Sequence, residues 1–131
     1  MPSISNDFWI FSKEGHPMVI FNNQEQLSEH LLGSFVKTIK EFGELSGKEL
    51  QSVTLNNYKY TCISCCDNNA FIVHRAETSV KDKKIEKKCI AVKDLLEDMH
   101  QASEIVCWDG DCSYFDNFKR RLDLYFKMSE L

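Results

Sequence analysis

The sequence predicts one α/β (α+β) domain in which a five-stranded, antiparallel-rich sheet lies against layers of helices. Three observations favour this class. Short β-rich segments and amphipathic helical segments follow one another in the order ββ-α-βββ-α-α. Two of the strand segments are apolar on both faces, which is typical of strands covered on both sides. The chain of 131 residues, 43% of them hydrophobic, has the size and composition of one domain over residues 1–131.

The first two strands form a predicted hairpin, and a helix follows them. Residues 8–13 are rich in β-formers, residues 14–17 form a turn, and residues 18–21 are again apolar. The helix is predicted over 24–42, because apolar side chains recur there at three- and four-residue spacing. These side chains are Leu27, Leu31, Leu32, Phe35, Ile39 and Phe42.

Three further strands are predicted at 50–56, 58–65 and 70–74. The links between them are short, and short links join antiparallel neighbours. The apolar runs at 8–11 and 71–73 place the first and fifth strands in the centre of the sheet. The second and third strands then form its edges, where a partner strand can be added.

Two helices complete the predicted domain. The apolar stripe of the first of them consists of Ile85, Cys89, Val92, Leu96 and Met99. The stripe of the last helix consists of Phe115, Phe118, Leu122, Tyr125 and Phe126. Ser113 is the expected cap of this last helix, because a hydroxyl can accept a hydrogen bond from the first free backbone N–H groups.

Composition and charge exclude several classes of function. With 16 Lys+Arg and 20 Asp+Glu the formal net charge is -4, which argues against nucleic-acid binding. The sequence shows neither a signal-peptide pattern nor the ~20 apolar residues that a transmembrane helix needs. We therefore expect a cytoplasmic protein whose cysteines are reduced.

The six cysteines allow more than one interpretation. Cys62, Cys65 and Cys66 stand at the end of a strand, and Cys107 and Cys112 bracket a loop. In a strand, Cys62 and Cys65 point to opposite faces, which weakens a zinc site, and a redox pair belongs at a helix N-terminus instead. Buried structural thiols are the default, with a metal- or thiol-dependent protein as the alternative.

No catalytic motif stands out in the sequence. The four histidines are dispersed, and neither HExxH nor GxSxG nor GxxxxGK[ST] occurs. We therefore predict no catalytic residues, no metal site and no cofactor.

The basic patch is the most informative charge feature. It consists of Lys81, Lys83, Lys84, Lys87 and Lys88. If a helix begins here, these lysines oppose its dipole at a cost of about 0.3–1 kcal/mol at exposed sites. One interpretation is therefore a solvated loop with a later helix start. The other is contact with an acidic partner or an anionic membrane surface.

The order of elements, the absence of a helix before the first strand and the length of the chain resemble the longin domain. The matching landmarks are 8–11 followed by Gly15, the helix at 24–42, and 53–55 leading into 58–65. The segment 108–111 followed by Phe115 and Phe118 is similar to small prokaryotic longin-like proteins, archaeal ones in particular. The related roadblock fold usually begins with a helix, whereas this chain begins with a strand.

The resemblance implies a longin-like three-layer α-β-α sandwich and a non-enzymatic protein-protein interaction module. Its partner would be a small Ras-like GTPase, another longin- or roadblock-like domain, or a second copy in a homodimer, in vesicle trafficking or GTPase regulation. We expect the interface on the second strand and the helix beside it. The residues chosen are Met18, Val19, Ile20, Phe21, Phe35 and Val36.

Overall fold

The computed structural model describes residues 7–14, 16–21, 50–55, 58–66 and 69–129. The strands are β1 (Asp7–Ser12), β2 (Pro17–Phe21), β3 (Leu50–Leu55), β4 (Tyr58–Cys65) and β5 (Ala70–Glu77). The helices are α1 (Asp82–Met99), α2 (Ala102–Val106), a 3₁₀ helix (Cys112–Phe115) and α3 (Asp116–Ser129). The helix predicted over 24–42, with Phe35 and Val36, lies outside the described residues.

The five described strands form one antiparallel sheet in the order β2-β1-β5-β4-β3. The predicted central position of the first and fifth strands is confirmed. Trp9 lies opposite Val73, and Ile10 lies opposite Ile72. Strands that are apolar on both faces are best shielded from water in the middle of a sheet. The strands β2 and β3 are the outermost described strands.

Helices α1 and α3 pack on one face of the sheet. The predicted stripe of α1 is confirmed for Ile85, Cys89, Val92 and Leu96, which are buried, whereas Met99 is only half-buried. From α3 and the turn before it, the buried side chains are Phe115, Phe118, Leu122 and Phe126. Tyr125 was also predicted in this stripe, but it is exposed and lies outside the core. The buried side chains meet strand side chains such as Phe8, whose ring stacks on Phe126 with centroids 5.5 Å apart. Full burial of one such side chain contributes about 1.5–3 kcal/mol.

The opposite face of the sheet carries a second buried cluster. Its buried members are Trp9, Phe11, Tyr60, Cys62, Phe71 and Val73. All of them come from β1, β4 and β5. Side chains on both faces of β1 and β5 are therefore buried, as their apolar runs predict.

The connection between α1 and α3 differs from the prediction. Between the two predicted helices a short helix, α2, begins at Ala102, with a capping box between Gln101 and Glu104. Ser113 is not the cap. The Asp111 carboxylate accepts from the Ser113 backbone N–H at 3.0 Å and starts a 3₁₀ turn, from which α3 continues at Asp116. The Ser113 hydroxyl itself donates to the Asp111 carboxylate at 2.8 Å, so it is held there rather than at the start of α3.

Within the described ranges, no helix combines the length and the apolar character that crossing a membrane requires.

Candidate interaction surfaces

The outermost strand β2 was expected to carry the interface. Its side chains are less available than predicted, because Met18 and Val19 are 1% and 2% exposed and belong to the core. Ile20 and Phe21 are half-buried. The Phe21 ring lies 5.7 Å from that of Phe126. Met18 and Val19 therefore fix β2 on the sheet, and a partner at this edge would meet the strand backbone together with Ile20 and Phe21.

The basic patch lies inside α1 rather than in a loop before it. The helix begins at Asp82, and Lys81 is its N-cap residue, without a side-chain capping hydrogen bond. The interpretation with a later helix start is therefore wrong. Lys81, Lys83, Lys84 and Lys87 are exposed, and Lys88 is half-buried. Lysines thus occupy the turns in which the helix dipole favours acidic side chains.

The two halves of α1 carry opposite charge. The basic patch occupies the N-terminal half, whereas Asp94, Glu97 and Asp98 lie in the C-terminal half. Glu97 Oε2 accepts a hydrogen bond from the Cys66 backbone N–H at 2.9 Å. Because α1 has 18 residues, the two charged regions are centred well apart along a helix about 27 Å long.

An apolar patch lies on α3, and we define it as Leu124, Tyr125 and Met128. These side chains are 58%, 44% and 63% exposed. Leu124 and Met128 are four residues apart, so they share one face of the helix. Exposed apolar side chains that lie next to one another, rather than singly, indicate a contact surface.

Contacts between the helices bring the basic and apolar patches to the same end of the molecule. The Lys88 ammonium lies 5.0 Å from the centroid of the Phe126 ring, within cation–π range. At the other end, the His100 ring lies 5.1 Å from that of Phe115. Helices α1 and α3 therefore run antiparallel, and the basic N-terminal half of α1 lies beside the apolar C-terminal half of α3.

The cysteines are distributed as the strand geometry predicts. Cys62 belongs to the cluster of strand residues, and Cys65 belongs to the cluster under the helices, so they lie on opposite faces. Burial raises the pKa of Cys62 and of Cys89 to about 12. The hydrogen bond with the Cys66 side chain, followed by burial, raises the pKa of Cys65. These thiols stay protonated at neutral pH, whereas metal binding and nucleophilic attack need thiolates.

The described part of the chain contains no group of three or more His, Cys, Asp and Glu that could hold a metal ion. Cys107 is exposed, and the side chain of Cys112 is not described.

No protein-family model matches the chain, and no curated protein matches it. Among solved structures, the chain is similar to MglB of Myxococcus xanthus, with a TM-score of 0.54 and 11% sequence identity. The match covers 72% of this chain and 85% of the MglB chain. The fold is longin-like. At this identity the likeness concerns the fold alone and does not decide a specific family.

The longin-like sheet also holds an ion pair that the sequence interpretation missed. Arg75 is only 2% exposed, and its Nη2 and Nε donate to Asp7 Oδ2 at 2.6 and 3.2 Å. The rings of Trp9 and Tyr58 face the guanidinium at 5.5 and 4.9 Å. The sequence did contain a signal, since Arg75 continues the alternation of Phe71 and Val73 on one face of the strand.

A second cluster that the sequence interpretation missed lies after the C-terminal end of α1, between α2 and the 3₁₀ helix. His100 Nδ1 and Glu104 Oε2 are 3.3 Å apart, and the Tyr114 hydroxyl donates to the same carboxylate oxygen. The hydrogen bond from Tyr114 lowers the pKa of Glu104, as do, to a smaller extent, the Gln101 backbone N–H and His100. The cluster ties α2 to the 3₁₀ helix.

Proposed function

We propose that this protein is a non-enzymatic interaction module of longin type that binds a small Ras-like GTPase or another longin- or roadblock-like domain. The observation that carries the proposal is the likeness to MglB, a roadblock/longin-like regulator of a GTPase, over 72% of the chain. The same likeness supports a role in regulation rather than catalysis.

The complete domain is proposed to have three layers. Trp9 and Phe11 on the second face of the sheet are buried, and each contributes to a cluster of strand residues. A face of this kind needs a cover. The apolar stripe of the helix predicted over 24–42 would supply it, with Phe35 and Val36 near the edge formed by β2.

The partner is proposed to add a strand or a loop along β2. This strand is outermost in the described sheet, and an outer strand presents a row of backbone donors and acceptors. Ile20 and Phe21 would then supply side-chain contacts. A second copy of the chain could pair at the same edge, which would give a homodimer. The proposed setting is cytoplasmic, in trafficking or GTPase regulation.

The test is a binding assay with small Ras-like GTPases loaded with GDP or with a non-hydrolysable GTP analogue. We expect binding that differs between the two nucleotide states. A charge placed on an outer strand discourages strand addition. The Ile20→Lys variant should therefore bind at least tenfold more weakly, whereas Thr54→Lys on β3 should bind as the unchanged chain does.

Light scattering coupled to size-exclusion chromatography tests self-association in the same samples, and circular dichroism verifies that both variants are folded. Absence of binding to GTPases in either state, together with a monomeric chain, would contradict the proposal.

A further inference from the structure

The N-terminal half of α1 and the C-terminal half of α3 together form a surface with two features. Four exposed lysines of the basic patch lie on one helix, and the exposed Leu124, Tyr125 and Met128 lie on its neighbour. The contact of Lys88 with Phe126 joins the two helices at this point. A surface that is both cationic and apolar suits a partner that is both anionic and apolar.

The local acids neutralise little of this charge. Asp82 forms an ion pair with Lys59 on β4, so its carboxylate already has a cationic partner. On α3, Lys127 pairs with Asp123 at 2.9 Å. Within residues 81–88 there remains only Glu86 against five lysines. The acidic residues that give the chain its net charge of -4 therefore lie largely elsewhere.

The lysines are also placed where they do not help the fold. Lys83 and Lys84 lie in the first turn of α1, where a positive charge opposes the helix dipole. Hydration of a helix surface does not require this arrangement, because acidic side chains would be hydrated equally well and would favour the helix. The arrangement is explained if the charge is used for attraction.

We propose that this end of the molecule docks on an anionic membrane surface. The lysines of the basic patch would lie at the level of the lipid headgroups, each contributing attraction to anionic lipids. Leu124, Tyr125 and Met128 would enter the boundary between headgroups and acyl chains, as the apolar face of an interfacial helix does. Tyrosine suits this boundary because its ring is apolar and its hydroxyl is polar.

The arrangement of the two patches fits the flat surface of a membrane. The basic patch and the apolar patch lie side by side on two antiparallel helices, so both can face one planar surface together. The backbone edge of β2 is a different surface, but its Phe21 ring lies 5.7 Å from that of Phe126, next to the docking surface. Membrane docking and the interaction proposed above use different side chains, so separate variants test each of them.

The test is flotation of the full chain with vesicles of phosphatidylcholine, with or without phosphatidylserine as a third of the lipid. We expect binding only to the anionic vesicles, with loss of binding at high salt, where the Debye length falls to about 3 Å. Each lysine near an anionic surface contributes about 1 kcal/mol, or roughly fivefold in partitioning. The Lys84→Gln/Lys87→Gln variant should therefore bind about 30-fold more weakly.

Matched controls lie at the opposite end of the molecule. Lys13, in the turn between β1 and β2, is exposed, so Lys13→Gln is the control for loss of a positive charge. Val106 on α2 is 59% exposed, so Val106→Ser is the control for Leu124→Ser and Met128→Ser. Both controls should bind like the unchanged chain, whereas the α3 variants should bind at least fivefold more weakly.

Three results would overturn the proposal. The first is absence of flotation with anionic vesicles at low salt, and the second is equal flotation with neutral ones. The third is equal loss of binding in the controls and in the variants of the two patches. If the chain ignores vesicles but binds an immobilised polyglutamate peptide through Lys84 and Lys87, the surface is a site for acidic peptides instead.

Discussion

Arg75 shows how a charged side chain can be accommodated inside this sheet. Its guanidinium is almost completely removed from solvent, and an unpaired charge in such a place would be very unfavourable. The Asp7 carboxylate on the facing strand accepts two hydrogen bonds from the guanidinium and supplies the opposite charge. The rings of Trp9 and Tyr58 face the same guanidinium. Removal of one partner of such a buried pair lowers the stability of the fold strongly, whereas replacement of both partners by apolar side chains lowers it much less.

We expect Asp7→Asn to lower the free energy of unfolding by about 3 kcal/mol, because it leaves the Arg75 charge without its partner. The double variant Asp7→Leu/Arg75→Met should be less destabilised than Asp7→Asn. Urea denaturation measures both. A double variant that is less stable than Asp7→Asn would show that the pair itself, rather than the avoidance of an unpaired charge, stabilises the sheet.

The thiols provide a second prediction at the residue scale. Cys62, Cys65, Cys66 and Cys89 are buried, whereas Cys107 is exposed. In a Cys112→Ser background, a thiol reagent at pH 8 should therefore modify Cys107 rapidly in the native chain and the other four cysteines only after unfolding. Rapid modification of Cys62 or Cys65 would support the metal- or thiol-dependent alternative. Colorimetric counting of thiols, with mass mapping, makes the measurement.

At the scale of elements, the charged side chains of α1 are placed unfavourably with respect to the helix dipole. Lysines lie at its N-terminal end and carboxylates at its C-terminal end, the reverse of the favourable order. The helix is held instead by the burial of Ile85, Cys89, Val92 and Leu96. Tertiary packing commonly outweighs local helix preferences in this way.

Lys83→Glu should therefore raise the free energy of unfolding by about 0.5 kcal/mol, because an acid in the first helical turn interacts favourably with the dipole. Asp98→Lys, in the last turn, is expected to be favourable for the same reason. Thermal or urea denaturation at low salt is the measurement. A destabilised Lys83→Glu variant would mean that Lys83 has a favourable contact that outweighs the dipole.

The stability that Glu104 contributes at the connection through α2 is expected to depend on pH. Hydrogen bonds hold the pKa of Glu104 below its ordinary value in the folded chain. A lowered carboxyl pKa contributes stability that is present above the unfolded pKa, about 4.3, and is lost as pH falls through the folded pKa. The stability difference between the unchanged chain and Glu104→Gln should thus shrink below about pH 4. Urea denaturation from pH 7 to 3 tests this, with Glu86→Gln as the control.

Local patterns predicted the elements better than the connections. The spacing of Ile85, Cys89, Val92 and Leu96 puts them on one face of a helix, and burial of that face holds the helix on the sheet. The spacing alone was therefore enough to predict α1 and its buried face. The pairing of Asp7 with Arg75 depends on strand register between distant parts of the chain, which no local pattern contains. Which oxygen caps the turn at 112–115 depends on loop geometry, so Asp111 was missed in favour of Ser113.

At the scale of the whole molecule, β1 and β5 form the most protected part of the described structure. Each is paired on both sides and buried on both faces. The charge, in contrast, is divided between two ends. The basic patch and the apolar patch lie at one end, and Glu97, Glu104 and Asp111 lie at the other.

Amide hydrogen exchange should reflect this arrangement. We expect the slowest exchange in β1 and β5, where opening requires disruption of both faces of the sheet, and faster exchange in the outer strand β2. Exchange measured by mass spectrometry on peptides from the native chain makes the comparison. Equal protection of β2 and β5 would indicate that β2 is itself covered by a partner, such as a second copy.

The charge order of α1 gives this helix a dipole of side-chain charges, positive at its N-terminal end and negative at its C-terminal end. A negatively charged surface repels the chain as a whole, since its net charge is -4, yet it also exerts a torque on this dipole. The torque acts within about a Debye length, ~8 Å at physiological salt, which is shorter than the helix. For the membrane docking proposed above, this torque would turn the lysines of α1 toward the surface before contact.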